Sequence, residues 1–261
     1  MQEGVFILQY LGPLDLSEFA NALAAAVTAA EATQGTIPTA CYDAIAAVIT
    51  DNNKTYDSEE EYEAAIQAIN NAVSTYATAD IVADYTRYKN IRTAVLAINP
   101  GIDVSAANTQ VEAETTTEGI DAAILTLRNA LTTYLPTAQL GTGETIDLTD
   151  ALIDNAAPGI SGTTDYWTNS NTPALQFELW EFYNISGATT KQVLSANLPA
   201  GNYKLTAVAF TRTNYEAKLK AGENSTNIAT VGNNVVNNRE QGNTWIANGN
   251  GVTNLLFNLS E

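Results

Sequence analysis

The chain has 261 residues, 45% of them apolar, with 29 Asp and Glu against 11 Lys and Arg, no histidine and one cysteine. A net charge of −18 argues against nucleic-acid binding, which needs clustered Lys and Arg, and against docking on anionic lipid. The lack of histidine excludes His-based triads, His-containing metal sites and a His general base, and one cysteine makes neither an internal disulfide nor a multi-thiolate zinc site.

In residues 1–12, Val5, Ile7 and Gln9 alternate with Phe6, Leu8 and Tyr10 between Gly4 and Gly12. That alternation predicts a lone strand, which must pair with a later part of the chain or with a preceding domain. The run lacks a basic segment and is too short for a signal peptide. No stretch reaches the roughly 18 apolar residues that span a bilayer, so membrane insertion is not expected.

From Pro13 to Pro136 the chain is Ala-rich with helical periodicity. Asp15 is expected to cap a helix running to about Thr33, with Phe19, Leu23, Val27 and Ala30 inward and Gly35 after it. A second helix spans about 38–50 and is closed by Asp51-Asn-Asn-Lys54. Cys41 falls on its apolar stripe with Ile45 and Val48 and reads as core. Ser58-Glu59-Glu60-Glu61 fits a capping box, with Ser58 as N-cap and Glu61 reaching back. Behind it, Tyr62, Ile66, Ile69, Val73 and Tyr76 form one predicted apolar stripe.

A long helix is expected from about Thr78 to Ile98, stopping at Asn99-Pro100-Gly101, and a weaker one near 104–114. The stripe then recurs 58 residues on as Ile120, Ile124, Leu127, Leu131 and Tyr134, with Thr115-Thr-Thr-Glu118 as its cap. Identities in register include Ala64/Ala122, Ile66/Ile124, Asn71/Asn129 and Tyr76/Tyr134. Two three-helix units in tandem, 13–77 and 78–136, are the economical reading. Residues 1–136 carry 18 acids and 5 bases (−13), the rest 11 and 6 (−5), and the excess reads as a solvated helix surface.

The chain changes character at Pro136–Gly143, and residues 144–261 read as an all-β sandwich domain. Predicted strands are 146–153, 174–183, 189–197, 202–212, 216–221, 227–231, 244–247 and 252–259, with a tight reversal at Leu198-Pro-Ala-Gly-Asn-Tyr203. The fold class is thus multidomain α plus β, with N-terminal all-α tandem three-helix bundles and a C-terminal all-β sandwich, which the resemblance below implies is a jelly roll.

Two resemblances sharpen this. The acidic cap followed by Tyr62-Glu-Ala-Ala-Ile-Gln-Ala-Ile-Asn-Asn-Ala72, with its copy from Ile120 to Tyr134, resembles the three-helix FIVAR-type spacer modules of bacterial surface and glycan-processing proteins. Glu178-Leu-Trp-Glu-Phe-Tyr-Asn184, Gln192-Val-Leu194, Leu198-Pro-Ala-Gly-Asn-Tyr-Lys-Leu205 and Ala209-Phe-Thr-Arg212 resemble a galactose-binding-like jelly-roll domain of secreted gut Bacteroidetes proteins. The second resemblance implies non-catalytic glycan binding outside the cell or on its surface. The family's closing strand is missing after Glu261, and Phe6–Gly12 resembles one. The chain is therefore expected to come from a longer array, with neighbouring domains as further partners.

Sugar binding needs flat aromatic faces flanked by planar polar side chains. The candidates are Tyr166, Trp167, Asn169, Asn171, Arg212, Tyr215, Asn233 and Trp245, with Asn234 beside them. Trp180 and Phe182 read as core, and so does Trp245 on burial tendency. Trp167, in a polar loop, is open to both packing and binding. Catalysis is not expected. On one strand Glu178 and Glu181 would face oppositely, as would Asp147 and Asp150, so neither pair spans a glycosidic bond. No cofactor is called for. Asp147, Asp150 and Asp154 could help ligate calcium, but a solvated strand edge is the preferred reading. The rival function is a structural or adhesive surface protein that binds other protein chains.

Overall fold

A computed structural model describes residues 15–176, 179–182, 185–211, 216–230 and 252–260. An N-terminal helical region is followed by a C-terminal region of small two-stranded sheets. The chain divides into two compact units, Met1–Lys89 with Ser105–Ile124 and Asn90–Val104 with Leu125–Glu261.

In the first unit, α1 (Ser17–Glu31) and α2 (Thr39–Asn52) both pack against α3 (Glu59–Tyr76). Asp15 holds the start of α1 as expected, its Oδ1 accepting the Ser17 N–H at 3.0 Å. The α3 cap forms at Ser58 as expected, with the return bond of Glu61 shifted one residue back to Asp57. Ser58 Oγ accepts the Glu61 N–H at 3.3 Å, and the Glu61 carboxylate accepts from the Asp57 N–H and the Ser58 hydroxyl. Tyr56 packs edge-on against Tyr62 and fixes the entry of the chain. The α3 stripe is rotated from expectation. Tyr62, Ala65, Ile69 and Ala72 are buried, while Ile66, Val73 and Tyr76 are half-buried. Alanines at 65 and 72 let neighbouring helices approach, so the larger residues move to the margin. Cys41 is fully buried as expected, and its thiol donates to the Glu114 carbonyl.

The remaining helices are α4 (Ala79–Ile98), α5 (Ser105–Glu112) and α6 (Thr117–Tyr134), followed by a 3-10 turn at Leu135–Thr137. The cap of α6 lies one residue later than expected. Thr116, not Thr115, accepts the Gly119 N–H through its hydroxyl, and its carbonyl accepts from Ile120. The helix buries Ile120, Ala123, Ile124, Leu127, Arg128, Leu131 and Thr132, a wider arc than α3 does. No described helix is long and apolar enough to cross a membrane.

The C-terminal region departs further from expectation. The strand expected at 146–153 is instead a helical turn, α7 (Thr149–Leu152). Asp147 Oδ1 accepts the Thr149 N–H at 2.9 Å, which starts the turn, and the adjacent Ala151 and Leu152 are both buried. A second short helix, α8 (Pro158–Ser161), ends at Gly162 with φ +74.

The single strand expected at 174–183 is two, β2 (Ala174–Gln176) and β3 (Leu179–Glu181), which pair with each other antiparallel. The register puts Leu175 across from Trp180, of opposite parity in the sequence, so the two halves do not share one alternating phase. β1 (Thr168–Asn169) pairs with β4 (Thr190–Lys191), the only strand seen within 189–197 among the described residues. Residues 198–200 therefore lead into β5 and do not reverse between two strands. β5 (Gly201–Val208) pairs along its whole length with β10 (Val252–Leu259), Leu205 opposite Leu255 and Tyr203 stacked on Phe257. β7 (Lys218–Ala221) and β8 (Asn224–Asn227) form a hairpin, while β6 (Phe210–Thr211) and β9 (Ala229–Thr230) pair in parallel. Among the described residues these pairs do not close into a sandwich. The strands expected at 1–12 and 244–247 lie outside the described residues.

Candidate functional site

Four of the eight candidate residues, Tyr166, Trp167, Asn169 and Asn171, lie together on one loop and the strand it feeds, β1. Arg212, Tyr215, Asn233 and Trp245 lie outside the described residues, as does Asn234.

The loop runs from the end of α7 to β1 and is tied at its neck. Asn155, at φ +48, donates from its amide to the Thr163 carbonyl and hydroxyl. The Asn155 carbonyl accepts the Trp167 indole N–H at 3.0 Å, and the Trp167 backbone N–H reaches the Thr164 carbonyl. Trp167 is half-buried, with its ring edge-on to Trp180 at 6.0 Å between centroids. Trp180, also half-buried, sits across β2–β3 from Leu175. Both indoles are thus engaged in packing, and for Trp167 the structure uses the ring and its N–H to hold the loop.

Tyr166 is the exposed aromatic, 46% accessible. Its φ of +68 puts a bulky residue in the left-handed region. Such a conformation costs about 1–3 kcal/mol and persists only when its surroundings enforce it. Here Gln192 does so from behind, its Nε2 donating to the Tyr166 carbonyl at 3.2 Å. The same amide clasps the main chain of Asp154: Gln192 Oε1 accepts the Asp154 N–H at 2.9 Å and Nε2 donates to its carbonyl at 2.7 Å. Beyond Tyr166, Asn169 is half-buried, and its Oδ1 is a buried acceptor with no donor among the described residues. Asn171 is exposed, its Oδ1 accepting from Ser170, whose hydroxyl also takes the Thr189 N–H.

Behind the loop, the Asp154 carboxylate meets Arg128 of α6. Arg128 Nη1 and Nη2 donate to the two Asp154 oxygens at 3.0 and 2.9 Å, Nη1 also reaches Ser195 Oγ at 2.9 Å, and Nε donates to the Ala151 carbonyl at 3.0 Å. Asp154 is therefore not a solvated strand edge but half of a bidentate ion pair. Asp147 is engaged at the start of α7, where hydrogen bonds from Thr149 lower its pKa. The geometric argument on paired carboxylates changes too. Asp147 and Asp150 lie at a helical turn, and Glu178 falls outside the described residues. Among the described residues no three His, Cys, Asp or Glu side chains gather as a metal site.

Sequence reasoning passed over Arg128 and Asn155, and took Gln192 only as part of a family resemblance. The available signal was Arg128 itself, a lone cation in the apolar repeat of α6. No protein family, curated protein or solved structure matches the chain.

Proposed function

We propose that this is a non-catalytic carbohydrate-binding protein of a bacterial surface or secreted glycan-processing system. Its helices serve as a FIVAR-like spacer, and the β-rich region is a galactose-binding-like jelly-roll module. The observation that carries this reading is Tyr166, an exposed aromatic held in the left-handed region by a fully braced loop, with Asn169 and Asn171 following it. An aromatic face beside planar amides matches the stacked C–H and paired hydroxyl chemistry of a sugar. The undonated Asn169 Oδ1 is buried and suits a bridging water behind the face. The commitment of Asp154 to Arg128 supports a binding role over an acid–base one.

A glycan array probed with the full chain, with and without calcium, tests this reading. Signal confined to one glycan class is expected, and a blank array would remove the reading.

A second reading, an adhesive or structural surface protein that binds other protein chains, draws on the exposed apolar side chains of the same region. Ile160 is 67% accessible, Val193 80% and Leu256 76%, the last on the same strand face as Val252 and Val208. Capture of a purified protein partner that Leu256→Asp abolishes, beside a blank glycan array, is the outcome this reading expects.

A further inference from the structure

Helix α6 carries a feature its repeat partner lacks. In the 58-residue register, Ile124, Leu127 and Asn129 fall on Ile66, Ile69 and Asn71, and Arg128 falls on Asn70. Asn70 is exposed, whereas Arg128 is 2% accessible. The same difference recurs one turn on, where Leu131 and Thr132 are buried against half-buried Val73 and exposed Ser74. The second copy of the repeat has thus acquired a buried face that the first does not need, with a guanidinium at its centre.

Burying that charge requires partners for its donors, and every one lies in the region that follows: Ala151, Asp154 and Ser195. The network does not stop there. Asp154 is clasped at its main chain by Gln192, Gln192 holds the Tyr166 carbonyl, and neighbouring Asn155 holds the Trp167 indole. The covalent route from α6 to this loop passes through residues 139–145, all of them exposed, before it reaches α7. Rigidity between the helix and the loop therefore comes from the side chains.

We propose that Arg128 is the positioning residue of the Tyr166–Asn171 face, fixing it to helix α6 through Asp154 and Gln192. The face is then carried at a set orientation on the helix and does not swivel on a linker. The functional meaning of this coupling rests on the glycan-binding reading; the coupling itself does not.

The test is hydrogen exchange of the Trp167 indole N–H in the full chain, with no glycan present, the signal assigned by Trp167→Phe. Backbone amides of the β5–β10 pair serve as the reference within the same unit. Arg128→Met is expected to speed indole exchange at least about tenfold relative to that reference, with Arg128→Lys intermediate. Gln192→Leu leaves the ion pair in place and is expected to give the same acceleration, because the relay passes through its amide. Indole exchange at the wild-type rate in Arg128→Met or in Gln192→Leu would overturn the proposal. So would acceleration equal to that of the β5–β10 amides, which marks general loosening. If Arg128→Met fails to fold, Arg128→Lys and Gln192→Leu decide by the same criteria. A blank glycan array leaves this readout untouched, so the two readings fail separately.

Discussion

Replacing Glu112 by glutamine probes how α2 is started. The N-cap position of α2 is Pro38, which has no side-chain oxygen to offer the helix. Glu112, at the end of α5, supplies the missing acceptor from 73 residues away. Its Oε2 accepts the Thr39 N–H at 2.8 Å and the Thr39 hydroxyl at 2.6 Å, while Oε1 accepts the Tyr85 hydroxyl at 2.5 Å. Burial on its own would raise the Glu112 pKa, but hydrogen bonds from Thr39 and Tyr85, with Lys89 nearby, outweigh it and the net shift is downward.

Glutamine keeps one acceptor and loses the charge that favours the positive end of α2. Of the three charge-assisted bonds, the two from Thr39 become neutral and the Tyr85 hydroxyl loses its acceptor, at a partly solvated site. The expected cost is about 1–2 kcal/mol. Urea unfolding of the full chain followed at 222 nm, where the helices dominate, measures it. Because the folded pKa lies below the value of 4.5 for an unperturbed glutamate, the contribution is fully present above that pH. It is lost as pH falls through the folded pKa, so wild type and Glu112→Gln converge in acid. A variant within about 0.5 kcal/mol of wild type at neutral pH, or a difference that persists into acid, would refute the long-range cap.

Three further outcomes are expected. Ser58→Ala breaks the capping box and should lower helical stability by about 1 kcal/mol in the same urea assay. Leu127→Ala empties a fully buried site on α6 and should cost about 2–5 kcal/mol, read by thermal unfolding. Trp167→Ala removes both the edge contact with Trp180 and the indole bond to Asn155. It should destabilise the C-terminal region by about 1–3 kcal/mol, seen in the fluorescence of the remaining tryptophans.

Helices were legible in the sequence because their signals are local. Ser58 and Glu61 are three residues apart, and the cap needs nothing else. The rotation of the α3 stripe was not legible, since whether Ala65 or Ile66 faces inward depends on how closely neighbouring helices approach. In the C-terminal region the run 174–183 holds no Gly, Pro or Asn to mark a reversal, yet the pairing puts Trp180 opposite Leu175. Residues 146–153 looked extended because Ile146 and Leu148 alternate with Asp147 and Thr149. Asp147 overrode that pattern by capping a helical turn. Tyr166 and Trp167 were found as types, but their division of labour was not. Which ring braces the loop and which faces solvent is set by Gln192 and Asn155, 26 and 12 residues distant. Arg128 was visible all along as a cation in an apolar repeat, but its partners are 23 to 67 residues away.

The most direct test of the glycan-binding account is affinity electrophoresis of the full chain through gels containing soluble polysaccharides. Tyr166→Ala runs in the adjacent lane, with folding checked by circular dichroism. The account predicts that wild type is retarded on at least one polysaccharide and that the folded Tyr166→Ala variant is not. Wild type running freely in every gel, or both proteins retarded alike, would contradict it.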